Sequence, residues 1–177
     1  MATSRKRAGG GKTARVPLTK AKLLPMNAAL ASDRSLTYHV ALDGWRRGHG
    51  NRRIVNELTL ATYMAWFLQC AGYGDAPVEL FKAAECVGEL TLMTAHESGE
   101  TDGWSLDAES VSIFTDVLGL HDAQLRSAPL HQYESAERRL LAFLHGPERS
   151  PIPDPRGKAE ETIARCPPQP AHPHGIR

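Results

Sequence analysis

The run from Ile54 to Gly74, I-V-N-E-L-T-L-A-T-Y-M-A-W-F-L-Q-C-A-G-Y-G, constrains this chain most. Leu58, Leu60, Tyr63, Met64, Trp66, Phe67 and Leu68 put apolar surface on nearly every side of a helix. A helix that is apolar all round must be wrapped by others. Asn51 is a suitable N-cap just before it, and Gly72 can take the left-handed turn that closes it. The uncharged stretch from Leu58 to Gly74 has 17 residues and includes Gln69 and two glycines. That falls short of the ~20 apolar residues of a membrane span. The run predicts the central helix of a water-soluble helical bundle.

The flanking segments supply partners for it. Leu23 to Ala31 predicts a short helix after Pro25, and Asp33 or Ser35 to Arg47 predicts another, with Leu36, Val40 and Trp45 turned inward. Asp75 as N-cap and Pro77 just inside open a helix that reaches about His96, its apolar side built from Leu80, Phe81, Ala84, Val87, Leu90 and Leu92. Gly88 in its middle marks a close helix crossing, since glycine otherwise costs roughly 1 kcal/mol there. Residues 97–103 are polar loop, anchored at the far end by Trp104. Val111, Phe114, Leu118, His121 and Leu125 recur in steps of three and four, with Gly119 a candidate bend. Tyr133, Ala136, Leu140, Phe143 and Leu144 stripe a last helix opened by Ser127 and Pro129 and closed by Gly146-Pro147. The expected fold is therefore all-α: an antiparallel bundle of four to five helices over residues 23–146, between a disordered basic arm (1–22) and a disordered Pro-rich tail (147–177). In 177 residues, a core of about 100 to 120 folds without a metal or disulfides.

Charge is split along the chain. The net charge is +1, yet residues 1–53 carry +10 and residues 54–125 carry −11. Arg5, Lys6, Arg7, Lys12, Arg15, Lys20 and Lys22 lie in an acid-free arm that has little to bury. Arg46, Arg47, Arg52 and Arg53 surround two glycines in the segment R-R-G-H-G-N-R-R. These eleven residues are the candidate nucleic-acid contacts, because guanidinium and ammonium groups on flexible backbone meet phosphates. The alternatives are a solubilising tail or an arm that folds onto the chain's own acidic body. Gly11-Lys12-Thr13 resembles the end of a phosphate loop, but Lys6 stands where that motif requires glycine.

Other chemistry finds little support in the residues. The helix pair around Gly72 has the outline of a helix-turn-helix, but its second helix carries Glu79, Glu85 and Glu89 against Lys82, which repels phosphates. His121 and Glu137, on neighbouring stripes, form the one pair worth considering for acid–base work. The remaining histidines, His172 and His174 included, lack ligand spacing, so no metal and no cofactor is expected. Cys70, Cys86 and Cys166 show no C-x-x-C spacing. They suggest a reducing, cytoplasmic setting, no disulfide framework, and inert filler at Cys70 and Cys86.

The order of landmarks carries a resemblance: a basic tail, Gly48-His49-Gly50, Ala71-Gly72-Tyr73-Gly74, Asp102-Gly103-Trp104 and His121-Asp122-Ala123-Gln124-Leu125. Over roughly residues 36–145 the chain resembles small uncharacterised helical proteins of proteobacterial genomes and mobile elements, some labelled Fis-like regulators. The resemblance implies no activity and transfers no site residues. A Fis-type reading helix is basic and C-terminal, whereas here the last helix mixes Glu137 with Arg138 and Arg139. The expectation is a non-enzymatic intracellular interaction protein, bound to a protein partner or to itself, with weak non-specific nucleic-acid contacts and no membrane. The alternatives are a sequence-specific transcriptional regulator and, third, a small metal-dependent or small-molecule enzyme.

Overall fold

Asn51 starts the central helix as expected: its side chain accepts the main-chain N–H of Ile54 at 3.1 Å. In the computed structural model, which describes residues 18–154, that helix is α3, Arg52–Cys70. The other helices are α1 (Lys20–Leu23), α2 (Ala28–Gly44), α4 (Val78–Ser98), α5 (Ala108–Ser127) and α6 (Leu130–Leu144). A π-helical turn, Trp45–His49, follows α2. Strand β1 (Gly50–Asn51) pairs antiparallel with β2 (Asp102–Trp104). The chain is thus predominantly helical, with six helices among the described residues and a small ladder that an all-α reading omits.

Helix α3 packs against α2, α4, α5 and α6, and Val55, Leu58, Ala61, Ala65 and Leu68 on it are fully buried. Gly88 does lie at a close crossing: a Cβ there would come 2.9 Å from Thr59 Oγ1 of α3. The stripe on α5 is buried at Phe114, Leu118, His121 and Leu125, and Gly119 leaves that helix unbroken. Trp104 anchors its loop through Gly50.

The two short helices foreseen before Arg47 are one, α2, opened by Asn27, whose side chain accepts from Ala29 N–H. Its inward residues are Ala31, Ala41 and Leu42, leading into Trp45 of the π turn. Leu36 and Val40 point outward, because the stripe that meets α3 and α5 is set by Trp45 and its neighbours one turn back. Pro77, not Asp75, caps α4, and the loop before it is bridged by Gln69, whose side-chain amide bonds both the N–H and the carbonyl of Ala76 at 2.8 and 2.7 Å. Leu144 is exposed.

Short segments on either side of the main helices pack onto them. Residues 20–25 are docked: Leu130 N–H donates to Leu24 carbonyl at 2.8 Å, and His131 Nδ1–H donates to Lys22 carbonyl at 2.8 Å. After α6 the chain folds back, so that Pro151, Ile152 and Pro153 are buried against the helices. Residues 1–17 and 155–177, where the rest of the expected arm and tail fall, lie outside the described residues.

Candidate nucleic-acid interface

The segment holding Arg46, Arg47, Arg52 and Arg53 is shaped by two tryptophans. Trp45 is fully buried and stacks tilted on Phe114 at 5.5 Å between ring centroids. The π turn it opens closes at Gly48, whose φ of 82° is the left-handed conformation that favours glycine. Gly50 then runs extended beside Trp104. A Cβ on Gly50 would stand 2.4 Å from Trp45 Cδ1 and 2.5 Å from the Trp104 carbonyl oxygen. Close packing therefore holds the loop, and the four arginines project from it exposed.

Their electrostatics divide them. Asp43 takes Arg46 at 2.6 Å and Arg47 at 2.8 Å. The hydrogen bond from Arg46, seconded by Arg47, holds the Asp43 carboxyl below its usual range. Among the described residues Arg52 and Arg53 form no ion pair. They occupy the first turn of α3, which contains no acid. A helix N-terminus carries a partial positive charge that ordinarily disfavours cations, by about 0.3–1 kcal/mol. Two arginines there concentrate positive charge instead of dispersing it.

The remaining candidates separate from this ledge. Lys22 is engaged by Glu134 at 2.7 Å and Lys20 is exposed on the same short helix, α1. Helix α2, roughly 25 Å long at 1.5 Å per residue, lies between them and the arginine loop in the chain. Arg5, Lys6, Arg7, Lys12 and Arg15 lie outside the described residues.

His121 and Glu137 are not brought together: Glu137 is exposed, and fully buried His121 bonds Gln124 Oε1 through Nδ1 at 3.2 Å. Burial pushes its pKa down. Gln124 in turn donates to the carbonyls of Ala65 and Tyr73, tying α5 to α3 and to the loop after it. Cys86 is not buried filler but an exposed free thiol. Among the described residues no group of three or more His, Cys, Asp or Glu is placed to hold a metal ion, and no helix is long and apolar enough to cross a membrane.

One buried network has no counterpart in the sequence reading. Tyr63 donates to Glu85 at 2.8 Å, and Lys82 donates to Glu85 at 2.6 Å and to Ser150 Oγ at 2.8 Å. Composition alone places Glu85 among the acids of a solvated face, yet it is only 3% exposed. Its i+3 relation to Lys82 is the signal that points to it. No family model, curated protein or solved structure matches the chain.

Proposed function

We propose that this chain is a non-enzymatic interaction protein whose arginine ledge makes salt-sensitive, sequence-tolerant contacts with nucleic-acid phosphates. The observation that carries the reading is the pair Arg52 and Arg53: exposed, free of ion pairs among the described residues, and held on a close-packed loop at the positive end of α3. Guanidinium groups in that setting offer bidentate donors to phosphate oxygens from a backbone that is already fixed. Arg46 and Arg47, partly neutralised by Asp43, extend the ledge, and Arg5, Lys6, Arg7, Lys12 and Arg15 add charge from the arm. Lys22, held by Glu134, contributes less.

The test is binding of fluorescent random-sequence duplex DNA to the full chain and to the variant Arg52→Glu/Arg53→Glu, across a salt series. The full chain is expected to bind weakly and to lose affinity steeply with salt. The variant binds at least about tenfold more weakly at low salt, and its log–log salt slope falls by about two, close to one for each phosphate left unneutralised. Equal binding by the variant, or no binding by the full chain, removes the reading. A preference for one duplex over a scrambled one at equal salt moves it to a sequence-specific regulator.

A further inference from the structure

Two uncovered apolar surfaces on this molecule complement one another in shape class and charge. The first is on α2, where Leu36 and Val40, one turn apart, are 61% and 60% exposed. With Ala41, Gly44 and Ile54 they line a groove of about 530 Å³ between α2 and α3. One end of that groove is closed by Asn51 and Arg53, with Arg52 in the same helical turn, while Glu57 is the one acid in the lining. The two arginines leave this end of the groove positive.

The second surface is the outer face of α4. Glu89, Leu90, Met93 and Glu97 are all exposed, Leu90 at 50% and Met93 at 52%. Spacings of three and four residues put all four on one side of the helix. The result is an apolar pair bracketed by carboxylates, the amphipathic pattern that a groove with a basic end receives. The charges match at larger scale as well: +10 over residues 1–53, which supply α2 and the arginines, and −11 over residues 54–125, which supply α4.

We infer that the occupant of the α2/α3 groove is a second copy of this chain, which inserts its α4 face, Leu90 and Met93 against Leu36, Val40 and Ile54, with an α4 carboxylate at Arg52 and Arg53. The inference rests on the reading of the chain as an interaction protein and names its partner. Different surfaces meet on the two copies, so the contact is heterologous, and assembly continues beyond two copies, to a ring if the rotation closes and to an open filament if it does not. Opposite charges at its rim make it weaken with salt.

The experiment is sedimentation velocity of the full chain over a hundredfold concentration range at low salt, with two variants. Leu36→Asp/Val40→Asp removes the groove and Leu90→Asp/Met93→Asp removes the inserting face; all four positions are exposed, and far-UV circular dichroism checks that each variant folds. The wild type is expected to grow in size with concentration and to shrink with added salt, and each variant alone to stay monomeric. An equimolar mixture of the variants is expected to form a dimer and nothing larger, because one intact groove and one intact helix face remain. A monomeric wild type, continued association of either variant, or a mixture that stays monomeric overturns the inference. Duplex-DNA binding by Leu90→Asp/Met93→Asp, whose ledge is untouched, keeps this outcome separate from that of the arginine test.

Discussion

Trp66 donates its indole N–H to the main-chain carbonyl of Pro151 at 3.0 Å, across 85 residues of chain. The bond fixes a strap rather than a tail. Ile152 beside it is 1% exposed, and Ser150 Oγ accepts from Lys82 and donates to the Ile152 carbonyl at 3.0 Å. Trimming Ile152→Ala removes a buried branched side chain and is expected to cost about 2–5 kcal/mol, at the low end if the strap collapses inward. Trp66→Phe leaves the Pro151 carbonyl unpaired and is expected to cost about 1–3 kcal/mol. Urea denaturation with an unchanged m-value checks both; a destabilisation under about 0.5 kcal/mol for Ile152→Ala means the strap adds nothing to the fold.

The strap shows where reading a sequence stops. Prolines announce a segment that cannot join a helix or a ladder, and so suggest an unstructured tail. A proline still keeps its carbonyl, and Pro151 uses it on Trp66 while Ile152 fills a gap that only the packed helices define. Helix α2 makes the same point. Periodicity says that Leu36 and Val40 share one face, and that Ala41, Leu42 and Trp45 share another, but not which is covered. Size favours the first face, and Trp45 against Phe114 decides for the second. Helix α3 is legible because its side chains are apolar on all faces, so no choice of side arises; α5 is legible because it has a single apolar stripe. The arginine ledge is legible as composition. Its rigidity is not, since that depends on β2 reaching back from fifty residues away in the chain to pair with β1.

Glu85 is held between Tyr63 and Lys82, and removing one partner alone strands a charge. Lys82→Met leaves the Glu85 carboxylate with the Tyr63 hydroxyl as its remaining side-chain partner in a site 3% exposed. The expected cost is about 3 kcal/mol, tempered because the Lys82 side chain keeps 25% of its exposure. Adding Glu85→Gln to Lys82→Met removes the stranded charge and is expected to restore a good part of that stability. Chemical denaturation of the two single variants and the double one gives the coupling directly. Additive effects in that cycle mean that the pair does not act as a unit.

His121 makes the fold sensitive to acid. Gln124 commits its amide N–H groups to two carbonyls, so its oxygen faces His121 and the imidazole carries its proton on Nδ1. Burial lowers the His121 pKa below the ordinary 6.5; its bond to Gln124 and the charge of Asp122 oppose that shift, and Arg34 adds to it. Below pH 6.5 the unfolded chain therefore binds the proton more readily than the folded one. The stability present above that pH falls as pH drops through 6.5, by up to about 1.4 kcal/mol per unit, until the folded pKa is reached. His121→Gln is expected to be less stable than wild type at pH 8 but to lose less between pH 6.5 and 5. Parallel curves for the two proteins in urea titrations across that window assign the acid sensitivity elsewhere.

Gly48 and Gly50 separate two reasons for glycine in one loop. Gly48 has a φ of 82° with nothing within 4 Å of an added Cβ, so Gly48→Ala carries only the left-handed backbone cost, about 1–2 kcal/mol. Gly50 has an ordinary extended backbone, φ −62° and ψ 143°, but its Cβ would overlap the Trp104 carbonyl and the Trp45 ring. A main-chain oxygen cannot turn aside as a side-chain end can, so Gly50→Ala has to part β1 from β2 or push Trp45 away from Phe114. The expected destabilisation is about 3 kcal/mol, the upper range for overpacking, with a red shift of tryptophan emission that Gly48→Ala does not show. Once that joint opens, Arg46 and Arg47 lose their fixed relation to Arg52 and Arg53. Duplex-DNA affinity is then expected to fall severalfold, yet the salt slope stays near wild type because all four charges remain. A Gly50→Ala protein with wild-type stability, emission and affinity shows that the tryptophan joint does not hold the ledge.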